Sequence, residues 1–506
     1  MSAPRTRRRW TRAYVYGLLF EIGLVGLLLV LPKETWLYVP IHNLCLYSHY
    51  PLLALGTFGL LLIPLVMPWL WVVSGRAVCR AAMSLGVSRR QGILLAGGLG
   101  CIAFVAVIVT VVDGFNDTPR PFQPSPEVRR VVESKTSFAL DLYRTLKEQP
   151  GNLFVSPYGI STALGMVLAG ARGQTEQEIA AALHLSLAQS DFHHNGGLLC
   201  QRLSELLRRG RIRLTVANSI WCQKGDPFTN SFLALMRGPY QATAEKVDFR
   251  NDTESASRRI NQWVQRNTGS LFKDVVTPDQ FGPDTSIMLC NAIYFKGRWA
   301  SQFKRGATKP APFYVTKEQS VTVPMMHQKA DFKMAYVVED DFTLRLLELP
   351  YYGQDLSMVV ILPEAVDGLG ELERRLESDR LRAWLAELDH SPARETLVWL
   401  PRFKTSKSLD LIPLLQALGV TTAFDPLNAD LSGIDGINNL YLSSARQQAF
   451  VEVDEEGTKA AAVTLFKGKS KSASNQLNAN HPFLFFIRDN STGIILFLGR
   501  VVDPTR

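Results

Sequence analysis

Apolar positions along the chain change their spacing several times, and each change predicts a different kind of element. Residues 14–31, 51–73 and 92–112 are apolar almost throughout. Each is close to the roughly 20 residues that a helix needs to cross a hydrocarbon core with its backbone bonds satisfied internally. From residue 131 to 149 the spacing is that of an amphipathic helix, and NLFVSPYGISTAL (152–164) leads into a second, more apolar one. Short apolar runs at 217–221, 286–295 and 357–362 have the length and composition of buried strands. QAFVEV (448–453) alternates as a strand does, and 483–487 pairs with 494–498 across the turn NSTG (490–493). Helices and strands in mixed order predict an α+β domain. Residues 457–480 separate two of these strands, and a connection that long in a compact domain is functional or disordered.

Charge divides the chain in two. The formal net charge is +9, and residues 1–120 hold eleven Lys or Arg against four Asp or Glu, hence seven of the nine. The surplus flanks apolar runs instead of covering a globular face, which argues against nucleic-acid binding. Arg5, Arg7, Arg8, Arg9 and Arg12 precede the first run, and Arg76, Arg80, Arg89 and Arg90 lie between the second and third. The positive-inside rule places both groups in the cytoplasm and everything after Val112 on the opposite face, periplasmic or extracellular. A cleaved signal peptide is the rival for the first run, but no small-residue cleavage site follows it. Glu21 within that run reads as a carboxylate facing a neighbouring helix or water, and His42, Cys45 and His49 lack a fourth ligand at metal-site spacing. Six cysteines at 45, 79, 101, 200, 222 and 290 are too sparse for a disulfide framework. No metal or cofactor is expected.

NDTPRPFQPSP (116–126) reads as a semi-rigid linker, which divides the chain into a membrane segment 1–112, a linker 113–127 and a folded domain 128–506. Within the long connection, extended backbone would place Thr458, Ala460, Ala462, Thr464 and Phe466 on one face and Lys459, Ala461, Val463, Leu465 and Lys467 on the other. The first set is mostly small, the lysines fall on the second, and there is no Pro to remove a ladder bond. Such a segment is suited to entering a sheet.

Six motifs in order carry a resemblance to a known family. They are NLFVSP with its following helix, NAIYFKGRW (291–299), LPRF (400–403), ADLSG (429–433), VDEEGTKAAA (453–462) and HPF (481–483). From about Ser134 to Pro504 the chain resembles the serpins, suicide-substrate inhibitors of serine proteases. The resemblance implies a serpin-like fold: a large central sheet, smaller sheets, surrounding helices and an exposed reactive-centre loop. It implies no catalytic residues, and accordingly no nucleotide loop or G-x-S-x-G elbow is found in this half. It implies a trap: a protease forms an acyl-enzyme at the loop, the cut loop inserts as a strand, and the enzyme is distorted before deacylation.

The resemblance also assigns residues. The hinge is Glu455, Glu456, Gly457, Thr458, Lys459, Ala460, Ala461 and Ala462. Counting from Glu455, or back from Phe483, gives the same reactive bond, Lys471–Ser472, with Lys469 and Lys467 as neighbours. A Lys there suits a trypsin-like protease, whose primary pocket carries a carboxylate. Asn291 matches the shutter asparagine, while Gly159 replaces a usual Ser and Gln447 a usual His. The Ser-to-Gly change predicts a loosened helix start. Glu455 and Arg402 are expected to pair beside Trp299. Arg202, Arg208, Arg209, Arg211 and Arg213 lie where some serpins bind sulfated polysaccharides, although a solvated helix end explains them as well. The expected partners are therefore a trypsin-like serine protease and a lipid bilayer, with no nucleic acid, for a monomer. The competing expectation is a serpin-fold binding, chaperone or scaffold protein whose loop traps nothing.

Overall fold

A serine and a proline start the first helix. Ser125 Oγ accepts from Val128 N at 3.2 Å and Pro126 occupies the first turn, so helix α1 runs Pro126–Leu146. It begins five residues before the amphipathic spacing becomes visible, inside the stretch read as linker. The computed structural model describes residues 122–208, 212–455 and 475–506. The three apolar runs at 14–31, 51–73 and 92–112, most of the linker, hinge residues 456–462 and the Lys471–Ser472 bond lie outside the described residues. Among the described residues no helix is long and apolar enough to cross a membrane. The fold reported is that of the unit Pro121–Arg506.

Helix α2 (Pro157–Gly170) is buried along its whole length, as its apolar sequence requires. Helices α3 (Gly173–Ala182), α4 (Gln189–Arg208), α5 (Asn230–Arg237) and α6 (Thr253–Asn267) follow, interleaved with strands.

Fifteen strands among the described residues form three sheets. They are β1 (Leu153–Val155), β2 (Ile212–Gln223), β3 (Thr243–Val247), β4 (Ile287–Gly297), β5 (Lys309–Tyr314), β6 (Ser320–Phe332), β7 (Met334–Glu339), β8 (Phe342–Pro350) and β9 (Leu356–Pro363). Then come β10 (Arg394–Pro401), β11 (Phe403–Asp410), β12 (Leu442–Val453), β13 (Asn475–Asn478), β14 (Phe483–Asp489) and β15 (Ile495–Val501). The sheet orders are β1-β15-β14-β9-β8-β7, β13-β10-β6-β5 and β11-β12-β4-β2-β3. The predicted hairpin is β14–β15, with Phe486 opposite Leu498, and Gly493 takes the positive φ that its turn needs.

The five-stranded sheet carries Asn291 on β4 and Gln447 on β12, the two residues matched to the shutter. Its core-facing residues alternate, with Leu289, Ile293 and Phe295 on β4 and Ala445, Ala449, Val451 and Val453 on β12 entering the main core. Met288, Cys290 and Ala292 point to the opposite face and form a separate apolar cluster with Ala256, Ile260, Trp263 and Val264 of α6. The sheet is thus covered on both faces. Burial of Cys222 and Cys290 pushes both thiols up, Cys290 to about 12, and Cys200, Cys222 and Cys290 are free. They act as small apolar residues.

Candidate functional site

In the five-stranded sheet β11–β12 and β4–β2 pair antiparallel, whereas β12–β4 and β2–β3 pair parallel. β12 runs parallel to β4, with registers from Leu442–Ile287 to Val451–Phe295. The chain leaves β12 at Val453 and re-enters the described structure at Asn475, where β13 pairs parallel with β10 on an edge of the four-stranded sheet. A strand that continued from β12 and turned back between β12 and β4 would run antiparallel to both. One parallel ladder would be exchanged for two antiparallel ones, which are slightly more stable per residue. The gap, or slot, between β4 and β12 is where such a strand would enter.

Three sets of side chains hold the slot closed. Midway, Gln447 and Asn291 are direct cross-strand partners, both fully buried. Gln447 Nε2 donates to Asn291 Oδ1 at 2.6 Å and to Ser156 O at 3.0 Å, and Gln447 Oε1 accepts from Ser156 N at 3.0 Å. Asn291 Nδ2 donates to Asn218 Oδ1 on β2 at 2.7 Å. Gln447 thus takes over the histidine's place with its whole amide engaged. Ser156 Oγ donates to Leu496 O at 2.7 Å and accepts from Gly159 N at 3.1 Å, which caps α2. The helix start is therefore not loosened by Gly159; Ser156 and Pro157 fix it. Gly159 serves another purpose, because a Cβ there would lie 2.5 Å from Asn291 Oδ1. The amide of Asn291 occupies the space that a serine side chain would need.

Nearer the loop, Lys296 of β4 reaches across to Glu452 at 2.9 Å and Asp454 at 3.6 Å, and the Tyr294 and Phe450 rings stack 5.6 Å apart. At the exit, Glu455 is buried and the expected pair is present: Arg402 Nη2 donates to Glu455 Oε1 at 2.5 Å. Thr308 Oγ1 donates to the same oxygen at 2.6 Å, and Phe303 N donates to the Glu455 carbonyl at 3.2 Å. Trp299 Nε1 donates to Asp454 O at 2.9 Å, so the indole holds the backbone beside the ion pair. Burial of the Glu455 carboxyl works upward on its pKa, but the bonds from Thr308 and Arg402 outweigh it and the group sits below the usual range. Ser156 and Lys296 lie within the matched motifs but were given no role, and Asn218 and Thr308 were not singled out. A lone amide within an apolar strand run was the one signal available for Asn218.

The arginines of the cluster do not share one environment. Arg202 is buried and donates to Asp489 at 3.1 Å and Asp355 at 3.3 Å, tying α4 to the β14–β15 turn. It belongs to no surface patch, because a long charged side chain inside the fold needs carboxylate partners and has found them. Arg208 is exposed at the end of α4.

A protein-family model described as Serpin (serine protease inhibitor) matches residues 133–504. Over 379 residues the chain is 39% identical to a leukocyte elastase inhibitor from Xenopus tropicalis, covering 73% of this chain and 98% of that protein. It is 37% identical to human Serpin B3 over 389 residues, 74% of this chain and 99% of the relative. It is also similar to a crystal structure of maspin, with a TM-score of 0.70 and 27% identity, covering 75% of this chain and all of that one. Native protease nexin-1 with heparin matches with a TM-score of 0.66 and 28% identity over 74% of this chain and 99% of that one. Motifs, sheet order, a closed slot beside a long loop, and these likenesses agree: the chain belongs to the serpin family.

Proposed function

We propose that this chain is a membrane-tethered serpin that inhibits a trypsin-like serine protease by trapping it after cleavage at Lys471–Ser472. The observation that carries the reading is the slot. The parallel β4–β12 pair is closed by side-chain bonds, and the loop that follows β12 is long enough to replace it. A cut after Lys471 leaves sixteen residues, 456–471, attached to β12. At roughly 3.3 Å per residue these would extend about 53 Å, whereas the twelve residues of β12 span about 40 Å. The hinge can therefore line the whole slot, and its alternate residues from Thr458 to Thr464 are small enough to face the core. The attacking enzyme, acylated at the Lys471 carbonyl, would be carried to the far end of the sheet.

Specificity is read from the loop itself. The relatives named leukocyte elastase inhibitors point to an enzyme with a small primary pocket, but a Lys at the reactive bond fits a pocket that carries a carboxylate. The tether is read from the apolar runs at 14–31, 51–73 and 92–112 and from the arginines that flank them, which place the inhibitor domain on the extracytoplasmic face.

Trypsin and neutrophil elastase, incubated separately with the full chain, test the assignment. Trypsin is expected to give a complex that survives boiling in detergent and a released peptide beginning at Ser472. A covalent complex with elastase alone would overturn the basic specificity. Cleavage by trypsin without a complex would leave a binding or scaffold serpin.

A further inference from the structure

Three Asn-x-Ser/Thr triplets occur in the chain, at Asn116-Asp117-Thr118, Asn251-Asp252-Thr253 and Asn490-Ser491-Thr492. Each is an acceptor signal for N-linked oligosaccharide in a chain that enters a secretory compartment. The first lies outside the described residues. The other two both fall in turns with an exposed Asn, so exposure does not separate them. The bonds made by their side-chain amides do.

Asn251 stands in the turn between β3 and α6, and that turn is pinned from inside. Phe249 is fully buried beside Phe281, with ring centroids 4.8 Å apart, and its N–H donates to Gln223 Oε1 at 2.9 Å. Asp248 Oδ1 accepts from Gln223 Nε2 at 3.3 Å, Arg250 N at 3.2 Å and Asn251 N at 3.0 Å. The Asn251 amide reaches only this same carboxylate, with Nδ2 at 3.2 and 3.3 Å from its two oxygens. One N–H can serve both oxygens as a forked bond, so the other is spare. The start of α6 does not depend on Thr253 either, because Asp252 Oδ1 caps it by accepting from Ser255 N at 3.0 Å.

Asn490 is committed elsewhere. Its Nδ2 donates to Gln354 O at 2.9 Å and to Ser357 Oγ at 2.7 Å, which uses both hydrogens, and its backbone N–H donates to Asp355 O at 2.9 Å. Ser357 is fully buried, and Asp355 and Asp489 beside these bonds are the carboxylates that hold Arg202. A sugar on this nitrogen would take the place of one hydrogen and leave a partner unpaired inside the fold.

We propose that Asn251 carries an N-linked oligosaccharide and that Asn490 stays bare in the folded protein. The inference rests on the extracytoplasmic placement of the domain proposed above. In the transfer, the Asn251 amide nitrogen forms a bond to the anomeric carbon of an oligosaccharide carried on a polyisoprenyl pyrophosphate. The bond from that carbon to the pyrophosphate oxygen breaks, and the proton lost by the amide leaves with the pyrophosphate. Nothing is oxidised or reduced. The N–H that remains on the modified nitrogen is enough for Asp248. A sugar at the head of α6 keeps that end of the helix in water and closes it to a tightly packed partner.

The test uses the full chain expressed in animal cells. Peptide N-glycosidase F in heavy-oxygen water converts each sugar-bearing Asn to a labelled Asp, and mass spectrometry of the peptides reads every site by itself. Label is expected at Asn251 and not at Asn490. Thr253→Ala should abolish the label at Asn251, and Thr253→Ser should restore it. Sealed microsomes report the topology independently, since added trypsin should cut Lys471–Ser472 only after detergent opens the membrane. A protected domain with unlabelled Asn251 would overturn the inference and leave the tether standing, whereas a domain cut without detergent would overturn both. Label at Asn490 in a protein that still forms the trypsin complex would refute the argument from its hydrogen bonds.

Discussion

Replacing Gly159 by alanine perturbs the slot at its midpoint with a single carbon. The new Cβ would meet Asn291 Oδ1 at 2.5 Å, Nδ2 at 2.8 Å and Cγ at 2.9 Å, all shorter than the contacts such atoms make. Asn291 has little freedom to yield, since it is fully buried and bonded to both Asn218 and Gln447. Backing off to about 3.4 Å moves the amide by nearly an ångström, enough to break the 2.6 Å bond from Gln447. Loss of that bond, with a buried polar atom left unpaired, costs about 1–3 kcal/mol, and overpacking costs a similar amount. Alanine returns up to about 1 kcal/mol in helix propensity, so the net loss is about 1–5 kcal/mol. With an unfolding entropy of about 2.1 cal/mol/K per residue over some 380 residues, this lowers the thermal midpoint by about 1–6 °C. Because the broken bond spans β4 and β12, the variant should also form polymers on warming, seen on native gels. Gly159→Ser combined with Gln447→His, which restores the residues usual in the family, should recover at least half of the loss seen with Gly159→Ser alone. A Gly159→Ala protein that melts at or above the wild-type temperature would refute the close approach of Asn291.

Four further outcomes are expected. Glu455→Lys sets two cations together in a buried site and should cost about 3 kcal/mol, read as a lower thermal midpoint and faster polymer formation. Because the Glu455 pKa is lowered in the fold, the carboxylate stabilises the protein above the ordinary glutamate range, and this contribution is lost as pH falls through the lowered value. The stability gap between wild type and Glu455→Gln, measured by urea unfolding, should therefore be full at pH 7 and narrow as the pH falls below the ordinary glutamate range. A gap that widened on acidification would reverse the sign. Ala460→Pro deletes a donor in the inserting segment, so trypsin should still cut after Lys471 while the detergent-stable complex disappears, as gel electrophoresis would show. Lys471→Ala should lower the rate of trypsin inhibition at least a hundredfold, followed by residual activity, and an unchanged rate would move the reactive bond to Lys469 or Lys467.

What the sequence revealed follows from what its periodicity encodes. The β14–β15 hairpin was legible because continuous apolar strands flank a turn with Gly493 at its end. β12 was legible only from 448, because its first half carries Ser443, Ser444, Arg446 and Gln447 and breaks the apolar alternation. β2 extends to twelve residues where a run of five, 217–221, was visible, since cross-strand pairing with β4 extends it beyond that run. The start of α1 was concealed in proline-rich sequence that reads equally well as linker, although Ser125 followed by Pro126 is a capping signature. Arg402, Glu455 and Trp299 were expected together only because the resemblance to the family implied it, and the fold brings them together. Arg202 could not be placed, because its carboxylate partners lie 153 and 287 residues away and only the fold brings them near. The same holds for Gly159, whose meaning depends on an amide from a strand 132 residues later.

The central claim is that the slot between β4 and β12 receives the cut loop. Hydrogen exchange on the full chain, before and after cleavage of Lys471–Ser472, measures it directly. Amides from 458 to 466 are expected to exchange freely in the intact protein and to become protected after cleavage, with a thermal midpoint raised by tens of degrees. Free exchange in both forms, with an unchanged midpoint, would contradict it.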